Sequence, residues 1–136
     1  MSNDIEDLLP HRAPMRWVDA LVDCTETTAI ATVHVGEDHF ALRDGTLLEA
    51  ALIECVAQTI AAAFGQRMRA SGQPAAANQG MLIGVTNFKI VAAPTVGATL
   101  ILETREVKRL GPMLLVAATI TSAGQPIASG ELSLYA

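Results

Sequence analysis

The sequence has few cysteines, few aromatic residues and little charge, and each shortage excludes a class of protein. Cys24 and Cys55 are the two cysteines among 136 residues, so the chain has neither a disulfide framework nor the spacing of a zinc site. We expect no metal. Charged residues make up 17% and hydrophobic residues 51% of the chain, which is typical of a globular protein and not of a disordered one. The net charge of -5 provides no basic surface of the kind that binds nucleic acid.

We also expect neither a targeting segment nor a membrane span. The length of 136 residues suits a single domain that spans the whole chain. The opening residues MSNDIEDLL are acidic and carry no basic segment, which predicts no signal peptide. The longest apolar run, Leu47–Phe64, is short for a membrane span and is interrupted by Glu54 and Gln58. We therefore expect a reduced, soluble, cytoplasmic protein.

That apolar run is the most informative part of the chain. It reads LLEAALIECVAQTIAAAF and predicts a helix, apolar on nearly all sides, that continues to about Ala70. A carboxylate inside such a helix is costly unless it is paired, protonated or used in chemistry. Glu54 and Gln58 are four residues apart and project from one face. They form either the one wet edge of the helix or an acid–base carboxyl with an amide that orients it, and we favour the second interpretation.

The rest of the chain is divided by Gly, Pro and polar residues into six predicted strands. These are Met15–Cys24, Thr27–Val35, Met81–Ala92, Ala98–Lys108, Met113–Thr121 and Ile127–Tyr135. The turns at residues 110–112 and 123–126 join the last three strands as hairpins. The remaining segments are a short helical turn and two loops: Ile5–Leu9, Gly36–Gly45 and Ser71–Gly80.

Six strands and one apolar helix leave few architectures. An open two-layer sandwich would leave one helix face polar, and this helix hardly has one. A strongly curved antiparallel sheet wrapped around a central helix, the α+β hotdog fold, buries the helix as the pattern requires. Such a sheet leaves edges uncovered, so we expect a dimer. The apolar strand Met81–Phe88 is the expected interface.

Four motifs, in order along nearly the whole chain, resemble one protein family. Leu9–Met15 reads LPHRAPM and is followed by Val18-Asp19, similar to LPHRYPFLLVD; Ile53–Gln58 reads IECVAQ, similar to IEAMAQ. Gly80–Phe88 resembles the strand after the helix, and Ala93–Leu100 resembles the turn PVxPGDxL. The family is the β-hydroxyacyl-acyl-carrier-protein dehydratases of the FabZ and FabA type. The chain looks more like the dehydratases of aryl polyene and polyketide pathways than like the housekeeping enzyme.

The resemblance implies a cofactor-free enzyme that removes water from a 3-hydroxyacyl thioester carried on acyl carrier protein or coenzyme A. In the family a His takes the α-proton, and a helix Glu of the partner subunit protonates the departing hydroxyl. A backbone amide at the helix start polarises the thioester carbonyl. General acid–base help contributes roughly 10²–10⁴ in rate, and one oxyanion donor about 10²–10³. Carried over, Glu54 is the acid and Gln58 orients it or its substrate.

His39 is the residue that the resemblance offers as the base. The family's loop reads GHFPGxPxxPG, whereas Asp38–Thr46 reads DHFALRDGT. Phe40 still follows the His, but the prolines are absent and the loop is one residue longer. We expect His39 to be catalytic, and the alternative is an ordinary solvated loop histidine.

Glu49 falls where the family has a helix-start glycine, whose amide binds the thioester oxygen. The Glu49 amide is therefore a candidate for substrate binding. Thr46-Leu47-Leu48-Glu49 also reads as a capping box, with Thr46 at the N-cap and Glu49 at N3. In that case Thr46 occupies part of the amide's capacity.

Two other functions stay open. A hotdog acyl thioesterase would use the Glu54 carboxylate and water and would not need His39. A non-catalytic subunit would bind acyl chains or form a heterodimer with an active hotdog chain. Lys108-Arg109 is a candidate docking point for acyl carrier protein, although solvated turn residues are the simpler interpretation. His11-Arg12 matches the family opening and receives no chemistry.

Overall fold

The computed structural model describes residues 5–72 and 81–135. The predicted loop Ser71–Gly80 lies outside them except for its first two residues, as do Gly80 of the resemblance and the first four residues of the acidic N-terminus. The described elements are a 3-10 turn at Ile5–Asp7, β1 Ala20–Cys24, β2 Thr28–His34, β3 Leu42–Arg43, β4 Thr46–Leu47, α1 Glu49–Ala70, β5 Met81–Ile90, β6 Thr99–Leu110, β7 Met113–Ser122 and β8 Gln125–Tyr135.

One six-stranded sheet packs on the helix, and its strand order is β1-β2-β6-β7-β8-β5. Every neighbouring pair in it is antiparallel. In β2 the residues Ala29, Ala31 and Val33 are buried and alternate with more exposed ones, because successive side chains of a strand point to opposite faces. The predicted hotdog architecture, one long helix held in a curved antiparallel sheet, is confirmed.

Tight turns join the last three strands, as predicted. Leu110 pairs with Met113 and Ser122 pairs with Gln125, so each loop has two residues. Ala123 and Gly124 both have positive φ, at 50° and 77°. That conformation matches the twist of the flanking strands and fixes the register of the hairpin.

The helix packs one broad face into the core and leaves a narrower stripe partly open. Leu52, Cys55 and Val56 are fully buried. The stripe consists of partly buried residues that recur every three or four positions: Ile53, Ala57, Ala61 and Phe64. The helix therefore has more apolar surface than a single chain covers. Partly exposed apolar surface of this kind is typical of a helix that packs against a second chain.

The first predicted strand is wrong over its first half. Residues 15–19 do not pair as a strand, and β1 begins only at Ala20. The backbone groups of Met15, Trp17 and Val18 instead form hydrogen bonds with the side chain of Gln58 on the helix. A strand ladder would have required those same groups.

The segment before β1 lies close against the helix. A Cβ on Gly65 would come within 2.6 Å of the carbonyl oxygen of Leu8, so only glycine permits this approach. Leu8 and Leu9 are buried in the same core as the helix. The N-terminal segment is thus fixed to the helix near both Gly65 and Gln58.

Strand β5 forms one edge of the sheet and pairs with β8 alone among the described strands. Its residues Leu82, Ile83 and Val85 are 40%, 49% and 40% exposed. An apolar edge strand with unpaired backbone groups is a template for pairing with another chain. Over the described residues, no helix is long and apolar enough to cross a membrane.

Candidate active site

The centre of the candidate site is the side chain of Gln58, which is only 1% exposed. Its Oε1 accepts hydrogen bonds from the backbone N–H groups of Trp17 at 2.8 Å and Val18 at 3.2 Å. Its Nε2 donates to the carbonyl of Met15 and to Oε2 of Glu54, both at 2.8 Å. Both acceptor and both donor positions of the amide are used, so its orientation is fixed.

Glu54 lies one helical turn before Gln58 on the same face, as the spacing predicts. Its side chain is 38% exposed, so the expectation of a carboxyl enclosed by the apolar helix is wrong. The exposure arises because Glu54 lies beside the partly open stripe of the helix. Gln58 binds Oε2, and among the described residues no donor reaches Oε1. The carboxyl therefore has one oriented oxygen and one available oxygen.

His11 is the site residue that the sequence interpretation missed. Its Nε2 lies 3.6 Å from Oε2 of Glu54, the oxygen that Gln58 also binds. Nothing in the local pattern around His11 indicated this contact, because 43 positions of chain separate the two residues. The one signal in the sequence was that His11 belongs to the motif directly before Met15–Val18. The structure shows that this segment lies against the helix.

His39 lies on the loop between β2 and β3. Its Nδ1 accepts the backbone N–H of Ala41 at 3.1 Å, and its Nε2 is buried without a hydrogen-bond partner in the described part of the chain. Burial lowers the pKa of His39 from its usual 6.5, and the negative charge of Asp19 opposes that effect. Because Nδ1 is an acceptor, the neutral ring carries its proton on Nε2.

Trp17 contacts both parts of the site, the loop that carries His39 and the helix that carries Glu54 and Gln58. Its backbone N–H binds Gln58, and its indole ring lies 4.9 Å from the ring of His39 at an interplanar angle of 47°. The indole Nε1 donates to the carbonyl of Pro14 at 2.8 Å, which holds the ring in place. Within the described residues no hydrogen bond or ion pair joins His39 directly to Glu54.

The predicted capping box at the helix start is wrong. Leu48 is the N-cap, it makes no side-chain cap bond, and Glu49 is the first helical residue and not the third. Thr46 cannot be the cap because it belongs to β4, which pairs with β3 in a short hairpin. The sequence predicts β3 as part of the Gly36–Gly45 loop and β4 as the start of the helix. No described residue accepts a hydrogen bond from the Glu49 N–H, one of the donors that a helix start leaves unpaired.

The thiol of Cys55, one helical position after Glu54, takes no part in the site. Cys55 is fully buried, and burial together with the nearby charges of Glu54 and Asp19 raises its pKa to about 12. Its thiol is therefore an inert part of the core. The described residues contain no group of three or more side chains suited to hold a metal ion.

One long helix that carries a bonded carboxyl–amide pair, Glu54 and Gln58, and packs on a curved antiparallel sheet defines a protein of the hotdog class. Residues 3–136 match the model of the ApeP-like family, described as ApeP dehydratase. The chain belongs to this family, and its class of activity is that of a hydro-lyase.

Known relatives agree with this assignment. The 3-hydroxyacyl-acyl-carrier-protein dehydratase FabZ of Lactococcus lactis subsp. cremoris is 31% identical over 135 residues, which cover 96% of this chain and 90% of the relative. The structure of the dehydratase heterocomplex ApeI:P from Xenorhabdus doucetiae is similar in fold, with a TM-score of 0.88 and 23% identity over 99% of this chain and 91% of that one.

Hotdog proteins described as thioesterases share the fold at greater distance. A hypothetical thioesterase from Streptococcus pneumoniae, solved with coenzyme A, has a TM-score of 0.67 and 11% identity over 85% of this chain and 82% of its own. At that identity the likeness concerns the fold alone.

Proposed function

We propose that this protein removes water from 3-hydroxyacyl thioesters carried on acyl carrier protein and gives 2-enoyl thioesters, in the cytoplasm and without a cofactor. The observation that carries the proposal is the pair of Glu54 and Gln58. A carboxyl with one oxygen oriented by a fully bonded amide and the other available is suited to deliver a proton at a defined point. The 31% identity to the 3-hydroxyacyl-acyl-carrier-protein dehydratase FabZ supports the substrate class.

Glu54 acts as the acid in this scheme. Oε2 must accept the Gln58 N–H, so the acidic proton sits on Oε1. That proton passes to the 3-hydroxyl as the carbon–oxygen bond breaks, and water leaves. The electrons of the α-carbon–hydrogen bond form the new carbon–carbon double bond once His39 has taken the α-proton. The unpaired Glu49 N–H is proposed to polarise the thioester carbonyl during this step.

His39 must change its tautomer to act as the base. Its Nε2 carries a proton as long as Ala41 donates to Nδ1. For Nε2 to accept the α-proton, the ring has to carry its own proton on Nδ1, which requires the loop to release the Ala41 N–H. We propose that substrate binding drives this exchange. The lowered pKa of His39 keeps the ring neutral and available for it.

A second hotdog chain is proposed to complete the site. No described contact joins His39 to Glu54 within one chain, and β5 leaves an apolar edge open. Pairing of two chains at this edge would bring His39 of one chain towards the Glu54 of the other. The partner is either an identical copy or a different hotdog chain, and the ApeI:P heterocomplex among similar folds supports the second arrangement.

One observation favours a different reaction. In the free chain His39 is a donor at Nε2 and not a base, which would suit an acyl thioesterase in which the Glu54 carboxylate activates water. A purely structural subunit would use neither group.

One assay separates the three functions. Absorbance of the conjugated 2-enoyl thioester is followed together with release of free thiol, in wild type and in His39→Ala. Enoyl loss by hydration without thiol release, reduced about 10²-fold in the variant, supports the dehydratase. Thiol release that persists in the variant would establish the thioesterase instead. If the protein shows neither hydration nor thiol release, both alone and together with a second hotdog chain, it is a structural subunit.

A further inference from the structure

The two oxygens of the Glu54 carboxyl have unequal surroundings. Oε2 is 2.8 Å from Nε2 of Gln58 and 3.6 Å from Nε2 of His11, whereas no described donor reaches Oε1. Gln58 cannot be turned to present its oxygen, because that oxygen already accepts the Trp17 and Val18 amides. The groups beside Oε2, Gln58 and His11, therefore determine the orientation of the carboxyl and the direction in which Oε1 points.

His11 is placed on that side by a braced turn. Its Nδ1 is buried and has no hydrogen-bond partner among the described residues, so its polar contact is made through Nε2. The guanidinium of Arg12 donates to the carbonyls of Leu9 at 2.7 Å and of His11 itself at 2.8 Å. Arg12 and Arg16 both lie within ion-pair distance of Glu6, at 3.8 and 3.5 Å.

These contacts leave His11 as the basic side chain directed at Glu54. The two neighbouring arginines are turned towards Glu6 and towards backbone carbonyls. When Glu54 has given up its proton, the carboxylate has the neutral Gln58 amide on one side and the His11 ring on the other. At 3.6 Å the His11 Nε2 is within ion-pair distance of Oε2 and just beyond hydrogen-bond distance. A small approach of the ring would make it a second donor at this oxygen and stabilise the carboxylate that each turnover produces.

We propose that His11 is a positioning residue of the reaction, acting through Oε2 of Glu54 and not on the substrate. The inference rests on the proposed function of Glu54. The Gln58 N–H bond fixes Oε2 of the carboxyl, and His11 Nε2 beside the same oxygen keeps the acidic proton on Oε1 and stabilises the anion after that proton has passed to the leaving hydroxyl.

The first test compares His11→Leu with His11→Gln in steady-state hydration of a 2-enoyl thioester. Gln can place an amide N–H near the position of the imidazole Nε2, whereas Leu removes the donor. We expect kcat to fall about tenfold in His11→Leu, with KM unchanged because His11 does not contact the substrate, and to recover largely in His11→Gln. His34→Leu, which removes an exposed histidine on β2, is the matched control.

The second test needs no turnover. The side-chain carboxyl carbon of Glu54 is observed by NMR in protein labelled with ¹³C-glutamate and assigned by its absence in Glu54→Gln. Its resonance should move in His11→Leu and return towards the wild-type position in His11→Gln. Circular dichroism and thermal unfolding establish that each variant is folded.

The outcomes separate this inference from the proposed function. Unchanged kcat and an unchanged Glu54 resonance in His11→Leu would overturn the role of His11. Equal loss in the Leu and Gln variants, with a lowered unfolding temperature, would show a merely structural role and also overturn it. If Glu54→Gln alone keeps full turnover, it is the proposed acid that fails, whatever the His11 variants do.

Discussion

Ala41 donates its backbone N–H to Nδ1 of His39 over 3.1 Å, so the ring is an acceptor at that nitrogen. In the free protein we therefore expect the neutral tautomer that carries its proton on Nε2. The ¹⁵N chemical shifts of the ring nitrogens, assigned with His39→Gln, measure this directly. Binding of a non-reactive acyl thioester should move the proton to Nδ1. A ring that already carries its proton on Nδ1 in the free protein would contradict the expectation.

The lowered pKa of His39 also predicts how stability depends on pH. Between the lowered pKa of His39 in the folded chain and the usual 6.5, the unfolded chain binds a proton that the folded chain does not, so the free energy of unfolding decreases as pH falls through this window. Above 6.5 both states are neutral at this group and the effect vanishes. Urea unfolding between pH 5 and 8 should show this dependence weakened in His39→Asn, with His34→Asn as the control.

The same shift predicts the pH dependence of activity. A base that stays neutral to a lower pH keeps its function there, so the acid limb of kcat/KM that His39 contributes should lie below 6.5. Asp19 raises the pKa of His39, and Asp19→Asn should therefore move this limb to still lower pH. If Asp19→Asn leaves the acid limb of the kcat/KM profile unchanged, the limb reports a group other than His39.

Gln58 should be required for the fold as well as for the site. Gln58→Leu leaves the buried amides of Trp17 and Val18, and the part-buried carbonyl of Met15, without their partner. We expect a loss of about 2–4 kcal/mol in the free energy of unfolding, measured by urea titration. Gln66→Leu, on the same helix and less buried, is the control and should change stability little. Equal effects of the two substitutions would refute the role assigned to the amide.

The edge strand β5 predicts dimerisation. Wild-type protein should scatter light as twice the chain mass of 14.3 kDa at micromolar concentration. Ile83→Lys, on the open edge, should return it to the mass of one chain, because a buried unpaired ammonium is costly. Val91→Lys, at a residue 68% exposed and beyond the end of β5, should leave the dimer intact. A wild-type monomer that pairs only with a different hotdog chain would restrict the prediction to the heterodimer.

The sequence predicted those features that depend on local pattern. The helix and the last three strands were found because their apolar spacing and their Gly-containing turns are local signals. The pair of Glu54 and Gln58 was found because residues four apart on a helix share a face. The expected helix start failed because β3 and β4 form a hairpin just before it, and that pairing takes Thr46 out of the capping position.

Features that depend on distant partners were not visible. Met15 and Trp17 read as a strand, yet their hydrogen-bond partner is a side chain more than forty positions away. His11 was interpreted as a structural residue of the opening motif for the same reason: its contact, Glu54, is distant in the sequence. Whether a carboxyl in an apolar helix is enclosed or half-open depends on what covers the helix, and in one chain the stripe around Ile53 is not fully covered.

The fixed N-terminal segment has a consequence for local motion. The amides of Trp17 and Val18 belong to no helix or strand, yet both are bonded to a buried side chain, and the segment is also held where Leu8 meets Gly65. Their hydrogens should therefore exchange with solvent as slowly as those of the helix itself, because the segment can open only when it separates from the helix. A stretch that looks like loop should thus exchange among the slowest parts of the molecule, and we expect the site that it carries to open only together with the core.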